Sequence, residues 1–306
     1  MTRTTGDAAT DVLGAGPALD DGDLPTRMLV LGVARSDGTI RAAELFPVAE
    51  ACARSAEQVR SCLRRLVSEG LFRREGVGQG AVYRATEAGL AVLGAAAERT
   101  RLAIAQDREG ATWDGRWHLA AFAVPEARRG ARDELRGRLG RLGGAAVHNG
   151  LYVSPHPWEK EVAAAAEHLG VTQHVTLAAS DTLVVGGVTD PAALARRLWP
   201  VDVLAARYRA FLDRWGLVPD QLDAMAARHE SLPDWAFLPG ALAMGLAFAD
   251  CFEADPLLPP DLLPQPWPGA AARALLVASR VRAMRLRGAE DRRALFRAFD
   301  DLMETL

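Results

Sequence analysis

The sequence is short of lysine, cysteine and long apolar runs. Of its 36 Lys and Arg residues only Lys160 is a lysine, so cationic contacts fall to arginine. The three cysteines, Cys52, Cys62 and Cys251, form no close spacing pattern, which argues against a disulfide framework and a zinc site. No stretch of about 18 uncharged apolar residues occurs, so a membrane span is not expected. The most apolar run, Trp235 to Ala249, is shorter and is followed by Asp250 and Glu253. The first 23 residues lack the basic start of a secretory signal. They carry Asp7, Asp11, Asp20, Asp21 and Asp23 among small residues and read as a disordered acidic leader. A reduced, cytoplasmic protein is expected, and 306 residues suffice for two or three domains.

Signs of catalysis are equally sparse. There is no Gly-rich phosphate loop, nucleophile elbow or Ser-His-Asp order. Five of the six histidines (His118, His148, His156, His168 and His174) fall in mid-chain, without i, i+4 helical spacing or a Cys/His cluster. Metal binding is therefore not expected. The seven tryptophans are scattered and read as core or interface anchors. No catalytic residue, cofactor or enzymatic activity is assigned.

What is present is a gradient of charge. The formal net charge is -3, yet residues 24–84 hold ten Arg against six Asp or Glu, while residues 1–23 hold one Arg against five Asp. The local balance matters because phosphate attraction is screened beyond roughly 8–10 Å at physiological salt.

Helical periodicity begins near Thr26 and stops at the Ser36-Asp37-Gly38 turn. A second helix is predicted from Arg41 to Ala53, and Ser55 then stands as the N-cap of a third. That third helix places Ala56, Val59, Leu63, Leu66 and Val67 on an apolar face. Glu57, Gln58, Ser61, Arg64 and Arg65 lie opposite, with Arg60 on the flank. Leu71–Arg74 and Ala81–Ala85 flank the tip Gly76-Val77-Gly78-Gln79-Gly80, which suits a hairpin, and a helix follows from Thr86 to Asp107. Three helices, a Gly-tipped hairpin and a further helix describe a winged helix-turn-helix over residues 24–108. Such a module needs an apolar face to anchor the recognition helix and a polar face for the major groove. Arg64 and Arg65 suit guanine edges or phosphates, and Gln58 suits adenine. Arg73, Arg74 and Arg84 on the wing would neutralise flanking phosphates, with Gln79 at its tip. Arg60, Arg64 and Arg65 also fit the solvated face of any surface helix. The flanking helices and the hairpin tip the reading toward DNA.

Beyond a linker, Trp117–Val124 reads as a strand, Ala127–Leu142 as a helix and Ala145–Ser154 as extended with a turn at Asn149-Gly150. Trp158–Leu169 is helical, and Val171–Ala178 and Thr182–Val188 are extended. That order approaches β-α-β-β-α-β, a ferredoxin-like sandwich over 113–189. Residues 190–306 read as helical, interrupted by the proline-rich Asp255–Pro268.

The segments Ser55–Arg60, Arg65-Leu66-Val67, Gly70-Leu71 and Tyr83–Gly89 resemble the PaaX-type repressors of phenylacetic acid degradation. The resemblance continues through Trp113-Asp114-Gly115-Arg116-Trp117, Val124-Pro125-Glu126, Arg128-Arg129 and Leu135–Gly143. It extends over Leu151–Pro155, Tyr208–Trp215, Asp255–Pro264 and Trp267-Pro268-Gly269, spanning roughly residues 24 to 285. The resemblance implies an α+β protein with a winged helix, a middle domain similar to the Cas2 ferredoxin-like fold, and a helical C-terminal domain. It also implies a homodimeric repressor released from double-stranded operator DNA by an acyl-CoA effector such as phenylacetyl-CoA.

Two positions depart from the family pattern. The wing tip Gly78-Gln79-Gly80-Ala81 is neutral where the family is often rich in Arg, and Ala123 precedes Val124-Pro125 where Asp is common. The run Leu119–Ala123 also holds no carboxylate for a metal-dependent nuclease. A CoA thioester needs Arg for its phosphates and an apolar slot for its acyl group. Arg207, Arg209, Arg214, Trp215 and Arg228 are candidates, although such arginines equally coat exposed helix faces. Two other readings stay open: a nucleic-acid-processing enzyme with a Cas2-like domain, and a ligand-independent DNA-binding or protein-interaction module.

Overall fold

The computed structural model describes residues 23–109, 113–288 and 293–305. Residues 1–22 of the acidic leader lie outside the described residues. The chain groups into two compact units. The first comprises the described residues up to Arg101, Ala210–Asp250, and the described residues from Ala271 onward. The second comprises Leu102–Arg209 and Cys251–Ala270.

In the first unit, helix α1 (Asp23–Gly32) leads to strand β1 (Thr39–Arg41) and helices α2 (Ala42–Ala51) and α3 (Ala56–Ser68). Strands β2 (Phe72–Glu75) and β3 (Val82–Ala85) follow, and then helix α4 (Glu87–Glu109), of which the part up to Arg101 belongs to this unit. The strands form one antiparallel sheet in the order β1-β3-β2, with Ile40 opposite Tyr83 and Arg74 on its other side. β1 lies between the Ser36-Asp37-Gly38 turn and the helix predicted from Arg41, and its three residues are too few to show a period. Asp37 creates the strand by accepting bonds from the Thr39 N–H at 2.9 Å and the Thr39 hydroxyl at 2.6 Å.

Leu29 and Val30 of α1, Leu45 of α2, and Val59, Leu63 and Leu66 of α3 are all at most 1% exposed. Burial of such side chains contributes roughly 1.5–3 kcal/mol each, which is why the helices hold together. The apolar face of α3 is Val59, Cys62, Leu63 and Leu66. Ala56 and Val67, predicted for that face, are exposed. They begin and end the helix, where its side chains pass beyond the cover of its neighbours.

The first unit also contains α9 (Val218–Ala227), α10 (Asp234–Phe252), most of α11 (Pro268–Leu286) and α12 (Arg297–Thr305). Among the described residues α10 is the one helix long and apolar enough to cross a membrane. Here its Phe237, Leu238 and Leu242 are buried in the unit.

The second unit is built on strands β4 (Trp117–Phe122), β5 (Ala145–His148), β6 (Leu151–Ser154) and β7 (Val175–Ser180). Helices α5 (Arg129–Arg141) and α6 (Glu159–His168) connect them. The sheet is antiparallel throughout, in the order β5-β6-β4-β7, with Ala120 between Tyr152 and Leu177. This is the ferredoxin-like order. Leu135 and Leu139 from α5 and Val162 and Ala166 from α6 share one core cluster with Ala120 and Tyr152. The turn from β5 to β6 needs Gly150, whose φ is +81° and whose added Cβ would lie 2.5 Å from the Phe122 carbonyl oxygen.

The extended run expected over Thr182–Val188 is not a strand. Gly186 and Gly187, with φ of +58° and +81°, reverse the chain, so Val185 and Val188 pair only with each other.

Helix α7 (Pro191–Leu198) is capped by the Asp190 carboxylate and precedes α8 (Val201–Trp215). The proline-rich segment is fixed to this unit by polar bonds. The Leu257 carbonyl accepts from Gln106 Nε2 at 2.8 Å and from His156 Nε2 at 2.7 Å. Asp255 accepts from the Tyr208 hydroxyl and from the Leu257 N–H, both at 2.8 Å. These contacts hold an irregular loop that no propensity would order.

Candidate nucleic-acid interface

Helix α3 begins with a reciprocal cap. The Ser55 hydroxyl accepts from the Gln58 N–H at 3.2 Å, and the Gln58 side-chain oxygen accepts from the Ser55 N–H at 2.8 Å. Ser55 and Gln58 therefore fix where the helix starts. A bidentate contact from Gln58 to adenine would require it to leave the cap.

The outward face of α3 carries Glu57, Arg60, Arg64 and Arg65, all exposed, with Ser61 and Gln58 half-buried. Arg64 bonds Glu57 at 2.9 Å, and Arg60 lies 3.8 Å from the same carboxylate. The Arg64 hydrogen bond, more than any other influence, holds the Glu57 carboxyl below its ordinary value of 4.5. Arg60 also lies over the Phe46 ring, 5.7 Å from its centroid.

The hairpin beside α3 does not aim its arginines at one surface. Arg73 sits directly opposite Arg84, while Arg74 sits opposite Tyr83 and so points to the other face. Arg84 donates to Glu75 at 2.8 Å, which raises the guanidinium's already high value and relieves its repulsion with Arg73. At the tip, Gly78–Gly80 makes a single 3-10 turn that exposes Gln79, and the neighbouring Val77 is 82% exposed.

Of the residues suggested for an effector, Arg207 and Arg209 lie in the second unit, and Arg214, Trp215 and Arg228 in the first. The four arginines are exposed. Arg228 is bonded to Glu230 at 2.7 Å and 3.1 Å. Trp215 is 3% exposed, packs against Phe211, and has the Arg214 guanidinium 5.2 Å from its ring centroid. Its indole N–H is buried without an acceptor. No sequence signal pointed to that donor, because burial on a helix is decided by what packs there. Among the described residues no group of three or more His, Cys, Asp or Glu is arranged to hold a metal ion.

The fold is that of an α+β protein built around a Cas2-like sandwich and continuing into a helical C-terminal region. Residues 110–195 match the model of the PaaX protein central Cas2-like domain, and residues 199–290 that of the PaaX-like protein C-terminal domain. Together the two matches span more than half of the chain, and the chain belongs to the PaaX-type family, a family of transcriptional regulators. A solved structure of the uncharacterized protein Rv0674 from Mycobacterium tuberculosis is 23% identical, with a TM-score of 0.48. That likeness covers 84% of this chain and 94% of that one. No curated protein matches the chain significantly.

Proposed function

We propose that the protein is a cytoplasmic, homodimeric repressor of a catabolic operon, with a winged helix-turn-helix over residues 24–108 that binds an inverted-repeat operator. In this reading the ferredoxin-like domain covers 113–189 and the helical C-terminal domain 190–306. The observation that carries the reading is α3. It has a capped start, a buried apolar face, and an exposed face with Arg60, Arg64 and Arg65 beside a three-stranded sheet. A helix of this kind can enter a major groove, and two-fold operators mirror two-fold proteins. Family membership supports transcriptional control, and a PaaX-type regulator makes phenylacetic acid degradation the first pathway to examine. The effector is an acyl-CoA such as phenylacetyl-CoA, for which Arg207, Arg209, Arg214, Trp215 and Arg228 are the candidates. Its binding would favour a state in which the two winged domains no longer match both half-sites.

The deciding experiment is binding of the purified protein to its own upstream intergenic DNA at two salt concentrations. Selective binding that salt weakens and that Arg64→Ala and Arg65→Ala reduce supports the regulator. Equal binding to any DNA, or none, refutes it.

A further inference from the structure

The segment from Arg293 to Thr305 is held on the first unit by an unusual set of contacts. Leu295 is fully buried, and the Phe296 N–H donates to the carbonyl of Gly32, the last residue of α1, at 2.6 Å. Phe296 itself has a φ of +63°, a conformation that bulky L-residues adopt only when their surroundings enforce it.

Its ring sits in a slot between two glycines on different helices. A Cβ on Gly32 would lie 2.8 Å from Cδ1 and Cε1 of the ring. A Cβ on Gly245 of α10 would lie 3.0 Å from Cε2 and Cζ, on the ring's other edge. A methyl group at Gly32 would force the ring to move, and one at Gly245 would press on it tightly enough to displace it by a few tenths of an ångström.

Two arginines of the α11 region, the half-buried Arg280 and the buried Arg287, hold the segment. Arg287 bonds Asp234 and donates to the Arg293 carbonyl at 2.9 Å. Arg280 donates to the Leu295 carbonyl at 2.7 Å and to the two Asp300 carboxylate oxygens at 2.8 Å and 2.6 Å. Arg297 then lies 3.9 Å from Glu44 of α2. Helix α1, on which Phe296 rests, is in turn tied to the end of α3, where Arg27 bonds both carboxylate oxygens of Glu69 at 2.9 Å and 3.1 Å.

We propose that residues 293–305 are a strap that couples the helices α10 and α11 to α1. When the Phe296 ring is seated in its glycine slot, α1 and the recognition helix α3 are fixed in the DNA-binding arrangement. When it is unseated, α1 is released. The coupling runs through one side chain whose two contact edges belong to separate helices, so disturbing either helix shifts the same two-state element. This inference rests on the DNA-binding reading above for its consequence, but not for the strap itself.

The test uses the full chain and the variant Gly245→Ala, which presses on the ring from α10 without touching α1. Gly94→Ala is the control, because a Cβ there meets nothing within 4 Å. Hydrogen–deuterium exchange is read first. The expected result is roughly tenfold faster exchange in α1 and in residues 295–305 of Gly245→Ala, with α9 and β3 unchanged. Binding to the upstream DNA is read second and should weaken about three- to tenfold in Gly245→Ala only. Phe296→Gly accepts the φ of +63° and removes the ring, so it repeats the test should Gly245→Ala fail to fold. Faster exchange confined to α10, with α1 at its wild-type rate, overturns the strap, as does DNA binding weakened no more than in Gly94→Ala. If the wild-type protein binds no DNA selectively, the regulator reading fails, and the exchange in α1 alone decides the strap.

Discussion

Arg64 reaches back two helical turns to Glu57, with 2.9 Å between guanidinium and carboxylate, on the solvent-facing side of α3. The pair is exposed at both ends, so it adds little to folding. It does occupy an arginine on the helix face proposed to read DNA. An incoming phosphate or guanine must displace the carboxylate or accept its repulsion.

The first prediction follows from that competition. Glu57→Gln should tighten binding to the upstream DNA by roughly three- to tenfold, and Arg64→Ala should weaken it by a similar factor. The salt slope of Arg64→Ala should also fall by about one. Fluorescence anisotropy at two salt concentrations reads both effects. Unchanged affinity in both variants removes this helix face from the interface.

The second concerns the cap. Ser55→Ala removes the hydroxyl that accepts from the Gln58 N–H, and should cost about 1 kcal/mol in thermal or denaturant unfolding. Gln58→Ala loses the other half of the cap and should cost less. A DNA-affinity loss in Gln58→Ala much larger than in Ser55→Ala would show that Gln58 leaves the cap to read a base.

Trp215 supplies the third. Its buried indole N–H has no acceptor, so Trp215→Phe should keep the fold and leave stability within about 1 kcal/mol of wild type. If the acyl-CoA binds there, the variant should lose the thermal shift that phenylacetyl-CoA produces in wild type. A full shift in the variant moves the effector elsewhere.

The fourth is a pH dependence. Burial pushes the His156 imidazole below its ordinary value of 6.5, and the bond to the Leu257 carbonyl opposes that only in part. The folded ring stays neutral with its proton on Nε2, whereas the unfolded chain takes up a proton as pH falls through 6.5. The unfolded state then binds more protons, so the contribution is fully present above 6.5 and declines as pH falls toward the depressed folded value. Unfolding of the second unit followed by exchange or proteolysis from pH 8 to pH 5 should show that decline. His156→Gln should flatten it.

The fifth concerns thiols. All three cysteines are buried, and burial pushes the Cys52 thiol up to about 12, far from a reactive thiolate. A disulfide-exchange reagent at neutral pH should label none of them rapidly in the native protein and all three after denaturation. Fast native labelling of Cys52 would show that the α2–α3 core opens.

Much of this structure was legible in the residues. Ser55 followed by Gln58 marks a capped helix start, and the spacing of Val59, Leu63 and Leu66 identifies its buried side. Asn149-Gly150 between two alternating runs marks the β5–β6 turn, and Gly150 does adopt a positive φ there. Short irregular features were not legible. β1 is only three residues long, and the Thr182–Val188 run reads as a strand until the adjacent Gly186 and Gly187 turn it on itself. The alignment of the hairpin arginines was also hidden, because it depends on the register that sets Arg73 against Arg84 and Arg74 against Tyr83.

By itself the sequence determined the local elements and their faces, since helix caps, turn glycines and apolar periods act over a few residues. It also determined the ordered series of motifs that identifies the family. The tertiary structure decided which polar groups meet. The pairing of Arg64 with Glu57 lay within reach of helical spacing. The Leu257 carbonyl with its two donors, the Asp255–Tyr208 bond and the Phe296 ring between Gly32 and Gly245 did not. These contacts join residues from about 50 to more than 200 positions apart, and no local preference encodes them. They form only when apolar burial has brought the helices together, and the buried polar groups must then find partners or carry the cost of desolvation.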